Sequence, residues 1–279
     1  MEIGVFGLNS GCCARPEVMV EVARRAEALG YGSLWCGEHV ILPDPRVPPS
    51  PLAPDAPILD PLIVLAHLAA VTSRVQLGTG IVILPQRNPV VLAKELASLD
   101  VVSGGRMILG IGVGYLEPEF AAIGVPFADR GARGDEYLDA MRSLWEDGHP
   151  EFHGRYVAFS GVDAHPRPFR RPLPVLVGGH SPAALRRAVA RGQGWYGFGL
   201  TPDDLAGCLD GLTRAAEHVE RPPGLGRLEI TVTPPLHHED PTAYRELGVD
   251  RLVLVPSHRL SAPEVDEWLE ANAPRGTDP

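Results

Sequence analysis

The sequence predicts an α/β fold: a single-domain (β/α)8 TIM barrel with a small hairpin insertion before the fifth strand. Three observations predict it. Eight short apolar runs alternate with helix-length amphipathic stretches, the rhythm of strand–helix units around a parallel sheet. The chain's 279 residues match the usual span of such a barrel. No composition shift divides the chain, so one domain covers residues 1–279.

Strands are expected at 3–8, 33–37, 75–84, 107–113, 174–177, 194–198, 228–233 and 251–255, with a hairpin at 151–162. Helices are expected at 16–29, 61–71, 89–102, 131–145, 182–191, 202–219, 242–247 and 263–271. In the first helix Val18, Val22, Ala26 and Leu29 share one face, and Gly30 ends it. Asp60-Pro61, Asn88-Pro89, Ser181-Pro182 and Thr201-Pro202 each set a capping side chain before a proline, whose missing N–H costs nothing at the first helical position. Ser261 with Glu264 reads as a capping box. A doubly wound open sheet seldom needs eight repeats in one domain of this size.

Two links break the short-loop rule. Residues 40–59 are proline-rich without helix periodicity, and residues 115–128 form a second long connection. They follow the second and fourth strands, which puts both on the C-terminal face where barrel active sites sit. We read them as lids over one cavity.

Composition narrows the function classes. A net charge of −10 and the absence of a basic patch interleaved with aromatics speak against a nucleic-acid partner. No apolar run reaches the roughly 18 residues of a membrane span. The start of the chain has no basic n-region of a signal peptide. Cys12, Cys13, Cys36 and Cys208 fit neither a metal knuckle nor a disulfide framework, so a cytoplasmic protein with free thiols is expected. Lys94 is the only lysine among 25 Lys and Arg residues, a bias of high-GC bacterial genomes.

Three stretches converge on the C-terminal face. Glu38-His39 ends the second strand, and alternation lets only one of the two side chains point into the mouth. His39 there can donate, accept or shuttle a proton, or serve as a structural histidine bonded to backbone. Gly110-Ile111-Gly112-Val113-Gly114 lacks the full dinucleotide spacing, but side-chain-free backbone lets a flat ring approach. Val177-Gly178-Gly179-His180-Ser181-Pro182 runs from a strand end into a capped helix, which suits a phosphate and equally a tight strand–helix turn. No metal site is expected. His237-His238 has no third ligand nearby and reads as a pair of solvated histidines.

These stretches resemble one family. Residues 33–39 (SLWCGEH), 75–100 (VQLGTGIVILPQRNPVVLAKELASLD), 103–114 (SGGRMILGIGVG) and 175–188 (VLVGGHSPAALRRA) are similar to the luciferase-like monooxygenase family, in the same order and spacing. Arg130, Arg133 and Glu136 match the Arg-rich opening of its next helix, where we expect ion pairs that fix that helix. The resemblance spans nearly the whole chain and specifies no substrate.

It implies a barrel that binds FMN or the 5-deazaflavin coenzyme F420, and the sequence is closer to the F420-dependent branch of actinobacteria. That cofactor carries hydride at the ring carbon replacing the reactive flavin nitrogen. Position by position, His39 matches the histidine beside the reactive ring. Thr79, Gly80 and Ile81 match the bulge that backs the ring, often through a non-proline cis peptide. Gly112, Val113 and Gly114 match the strand-four wall. Gly178 and Gly179 match the phosphate-binding backbone, with His180 and Ser181 beside it. One position departs: some deazaflavin dehydrogenases have a glutamate just after the strand-four glycines, and here Tyr115 stands there, with Glu117 and Glu119 nearby. Three readings follow: an F420-dependent oxidoreductase acting on a small molecule, an FMN-dependent monooxygenase served by a separate reductase, and a cofactor-binding barrel without turnover. Family habit adds a homodimer.

Overall fold

The computed structural model describes residues 1–236 and 240–274. Its strands are β1 (Glu2–Phe6), β2 (Ser33–Cys36), β3 (Gln76–Thr79), β4 (Val82–Ile83), β5 (Met107–Gly112), β6 (Phe152–His153), β7 (Ala158–Phe159), β8 (Val175–Gly178), β9 (Gly194–Phe198), β10 (Glu229–Thr233) and β11 (Arg251–Leu254). Neighbours run β3-β2-β1-β11-β10-β9-β8-β5, and β3 also pairs with β5, so the ring closes. Every pairing in it is parallel. The expected barrel of eight staves is therefore present, with β6 and β7 as the antiparallel hairpin outside it.

The helices are α1 (Pro16–Ala28), α2 (Pro61–Val71), α3 (Pro89–Val102), α4 (Glu117–Ala122), α5 (Arg130–Glu146), α6 (Pro182–Arg191), α7 (Pro202–Ala216), α8 (Thr242–Glu246) and α9 (Ala262–Ala271). Their starts follow the punctuation of the sequence. Asp60 accepts from the N–H groups of Leu62 and Ile63, and Asn88 from those of Val90 and Val91. Ser181 accepts from Ala184 and Thr201 from Asp204, while Ser261 and Glu264 close a capping box. Each satisfies donors that a helix start leaves unpaired.

Two apolar cores result. The larger fills the shell between barrel and helices. The smaller lies inside the barrel, where Trp35, Ile108, Leu176, Tyr196 and Val253 meet, with Phe6 and Ile81 packed against them. Below it, at the strand starts, buried Arg251 pairs with Glu2 at 2.9 Å and with Glu229, and donates to Gln76 and Thr231. A charge that deep persists because each of its three guanidinium nitrogens has a partner. This plug closes the lower end, and the upper end is left for chemistry. Among the described residues no helix is long and apolar enough to cross a membrane.

Three expectations change in detail. The third strand is not continuous over 75–84: it breaks after Thr79 and resumes as β4. Leu77 and Gly78 still pair with Met107 and Ile108, and Val82 with Ile111. Between these pairs the Thr79 hydroxyl accepts from the Gly110 N–H at 2.9 Å and donates to the Gly110 carbonyl at 2.7 Å. Residues 115–128 hold the short helix α4, nucleated by buried Leu116 and Phe120. The third change concerns α5. Arg133 pairs with Asp129 as expected of an ion pair, but Arg130 donates to the carbonyls of Gly114 and Phe127. Glu136 receives the backbone N–H groups of Arg155, Tyr156 and Val157, tying the hairpin down.

The Thr79 hydroxyl therefore substitutes for two ladder bonds. Thr79→Val keeps the shape and leaves both Gly110 groups unpaired in a buried setting, so urea unfolding is expected to show a loss of about 2–4 kcal/mol. Thr79→Ser keeps the hydroxyl and recovers most of it. Equal stability of Thr79→Val and wild type would refute this role.

Candidate functional site

The upper mouth of the barrel is walled by glycine and backed by Ile81. A Cβ added at Gly112 would come within 2.6 Å of the Ile81 Cδ1, and one at Gly178 within 3.0 Å of its Cγ2. A side chain at Gly110 would run into the Thr79 carbonyl. Only glycine at these three wall positions lets the break after Thr79 push Ile81 toward the barrel axis. The Gly80–Ile81 peptide there is cis. Phe6 and Phe198, 5.3 Å apart edge to face, frame the opening beside this ledge, and Phe198 is 48% exposed.

Next to the ledge the β8–α6 turn carries Gly179 at φ +112, a conformation side chains rarely adopt. Its carbonyl accepts from Trp195 Nε1 at 2.8 Å, which fixes the turn against β9. Ser181 spends its oxygen on the α6 cap. His180 Nε2 accepts from the Phe198 N–H at 3.2 Å, with its ring edge toward Trp195. That contact needs a neutral ring. Partial burial pushes the His180 pKa below the usual imidazole range, against the pull of Asp204.

On the opposite rim Glu38 and His39 part company, as alternation requires. Buried Glu38 accepts from the Ile83 N–H at 2.6 Å and from Arg87, which also reaches Asp60. It thus braces the strand just past the break. His39 turns the other way, with Nδ1 3.4 Å from the Glu119 carboxylate and Nε2 3.4 Å from the Tyr115 hydroxyl. Asn9 steadies this end of β2 by donating to the carbonyls of Gly37 and Leu59. Both long links rise from this rim and meet there, because Glu119 of the second accepts from the Val40 and Ile41 N–H groups of the first.

The predicted site residues thus fall into two groups. Ile81, Gly112, Gly178, Gly179 and His39 gather around the mouth. Thr79 is fully buried and turns its hydroxyl to Gly110, so it shapes the ledge from behind. Val113 extends toward α5, where Gly134 leaves it room, and Gly114, at φ +76, packs on Ile83 and Phe120. His237 and His238 lie outside the described residues; among the described residues no cluster could hold a metal ion. Sequence reasoning passed over Phe6 and Phe198, and named Glu119 only as an acid near Tyr115. An acid gives no sign in sequence that it will be buried, whereas Phe198 at a strand end was a usable signal.

Lowering the pH protonates His180 and removes its acceptor for the Phe198 N–H. Because its folded pKa lies below that of a free imidazole, this contribution is present above the free value and lost as pH falls through the folded one. An NMR titration is expected to place the His180 midpoint below 6.5. A midpoint at or above that value would contradict the arrangement.

A model of the luciferase-like monooxygenase family matches residues 2–266. An uncharacterized Mycobacterium tuberculosis protein is 35% identical over 206 residues, 71% of each chain. An F420-dependent glucose-6-phosphate dehydrogenase of Amycolatopsis mediterranei is 32% identical over 211 residues, 72% of this chain and 61% of its own. Among solved structures, an F420-dependent secondary alcohol dehydrogenase in complex with an F420-acetone adduct superposes with a TM-score of 0.78. That match covers 96% of this chain and 97% of the other; at 18% identity it speaks for the fold alone.

Proposed function

The chain belongs to the luciferase-like monooxygenase family of oxidoreductases, and from that premise we propose that it uses coenzyme F420 to pass hydride to or from a small organic substrate. A deazaflavin or flavin is the family's cofactor; the choice of F420 is supported by the relatives named for it. The observation that carries the reading is the ledge at Ile81, seated in the barrel mouth against Gly110, Gly112 and Gly178, which present no side chains to it.

These residues fit a flat cofactor bearing a phosphate. Ile81, held against Gly112 and Gly178, would back the ring, and the Gly178–Gly179 backbone with the α6 start would hold the phosphate, where helix N–H groups favour an anion. When bound, the deazaflavin supplies a two-electron hydride donor or acceptor. His39 would take up or return a proton at Nε2 toward the reacting centre. The links at 40–59 and 115–128 would close over the pair and exclude water. The substrate of the Amycolatopsis enzyme is not carried over, because Tyr115 stands where some deazaflavin dehydrogenases have glutamate. A cytoplasmic location belongs to the same reading and is supported by four free thiols.

The test is retention of colour. After incubation with F420 or FMN and gel filtration, deazaflavin absorption should travel with the protein; FMN retained in its place, with oxygen consumption, would overturn the reading in favour of a monooxygenase. Gly179→Val should weaken F420 binding by tenfold or more, about 1.4 kcal/mol, since φ +112 excludes the branched side chain. Unchanged affinity in folded Gly179→Val would remove the phosphate assignment. With reduced F420 and a panel of small carbonyl compounds, His39→Ala should lower turnover by at least about tenfold. Full activity would return His39 to a structural role.

A further inference from the structure

Glu119 is wholly buried on α4, in a link that is otherwise largely open to solvent. A carboxylate at that depth is costly unless both oxygens are occupied. One is: Oε1 accepts from the Val40 N–H at 2.6 Å and from the Ile41 N–H at 3.4 Å. The other is not. Oε2 has no hydrogen-bond partner and stands 3.4 Å from His39 Nδ1, which is itself buried and unpartnered. Two orphaned polar atoms facing each other at that separation point to one interaction awaiting a small approach of the ring. Beyond the imidazole, Nε2 lies 3.4 Å from the Tyr115 hydroxyl, on a residue 50% exposed at the mouth. Burial and the Glu119 charge both raise the Tyr115 pKa, so this hydroxyl stays protonated.

We propose that Glu119 is the positioning residue of His39: it takes the Nδ1–H on its free oxygen, fixes that tautomer, and leaves Nε2 facing Tyr115 and the substrate side. The inference rests on the reading in which His39 acts at the cofactor. Two other charged groups close by in sequence or across the rim are committed elsewhere. Glu38 is held by Ile83 and Arg87, and Arg87 by Glu38 and Asp60. Glu119 and Tyr115 are left as the partners of the ring. The two amides on Oε1 keep the carboxylate from swinging away, so the anchor of the lid and the orientation of the histidine are one device. A carboxylate behind a histidine sets which ring nitrogen carries the proton.

Substitution by the amide makes a sharp test. In Glu119→Gln the carbonyl oxygen must stay on the Val40 and Ile41 N–H groups, which can only donate. The NH2 then takes the place of Oε2 and donates to Nδ1, so the neutral ring must move its proton to Nε2. In the 15N spectrum of the cofactor-free protein above the imidazole pKa, with His39 identified by its loss in His39→Asn, wild type is expected as Nδ1–H and Glu119→Gln as Nε2–H. An Nε2–H ring in wild type, or an unchanged tautomer in Glu119→Gln, overturns the proposal. If Glu119→Gln does not fold, the wild-type spectrum decides alone. The reading is taken without cofactor, so a failure of the F420 assignment leaves its outcome separately visible.

Discussion

Everything at the mouth depends on how the barrel closes beside Thr79. A ring of parallel strands needs continuous ladders, yet a ledge in the mouth needs one strand to turn a side chain into the lumen. The chain meets both demands by breaking β3 after Thr79 and letting one hydroxyl take up the N–H and carbonyl of Gly110. Pairing resumes at Val82 with Ile111, so the seam holds on both sides of the break. Ile81 can then occupy the lumen because Gly110, Gly112 and Gly178 present no side chains to it. The wall glycines and the break are one constraint seen from two strands.

A second theme is the use of carboxylates to hold the backbone of links. Glu27 accepts from the N–H groups of Ser73, Arg74 and Val75, and although burial opposes it, these bonds lower its pKa to about 2. Glu136 does the same for the β6–β7 hairpin, Asp100 for Met107 and Arg170, and Glu119 for the start of the first lid. Each replaces water for donors that the fold takes out of solvent. The acid surplus of the chain is thus partly structural. Glu119 differs from the rest in keeping one oxygen unspent, and that oxygen faces His39.

Much of this was legible in the chain. The eight strand–helix pairs followed from apolar rhythm, and the proline-capped helix starts were marked by residues whose only task is local. Gly112, Gly178 and Gly179 were singled out by the family resemblance, since on local sequence glycine there serves tight packing or a tight turn equally well. The break in β3 could not be read from periodicity, since residues 75–84 are apolar on both sides of it and alternate no differently. The roles of Glu119 and Glu136 were hidden for a common reason: their partners are backbone amides 19 to 79 positions away, and an amide has no residue type. The Arg-rich start of α5 suggested ion pairs, but Arg130 found carbonyls, which are equally silent in sequence.

In the proposed reading Ile81, seated against the wall glycines, backs the cofactor ring. A crystal structure of the protein with coenzyme F420 tests it most directly. Ring density is expected against Ile81 on the side away from Gly112 and Gly178, with the phosphate on the Gly178–Gly179 backbone and His39 at the ring's open face. Density for the cofactor away from Ile81 would contradict it.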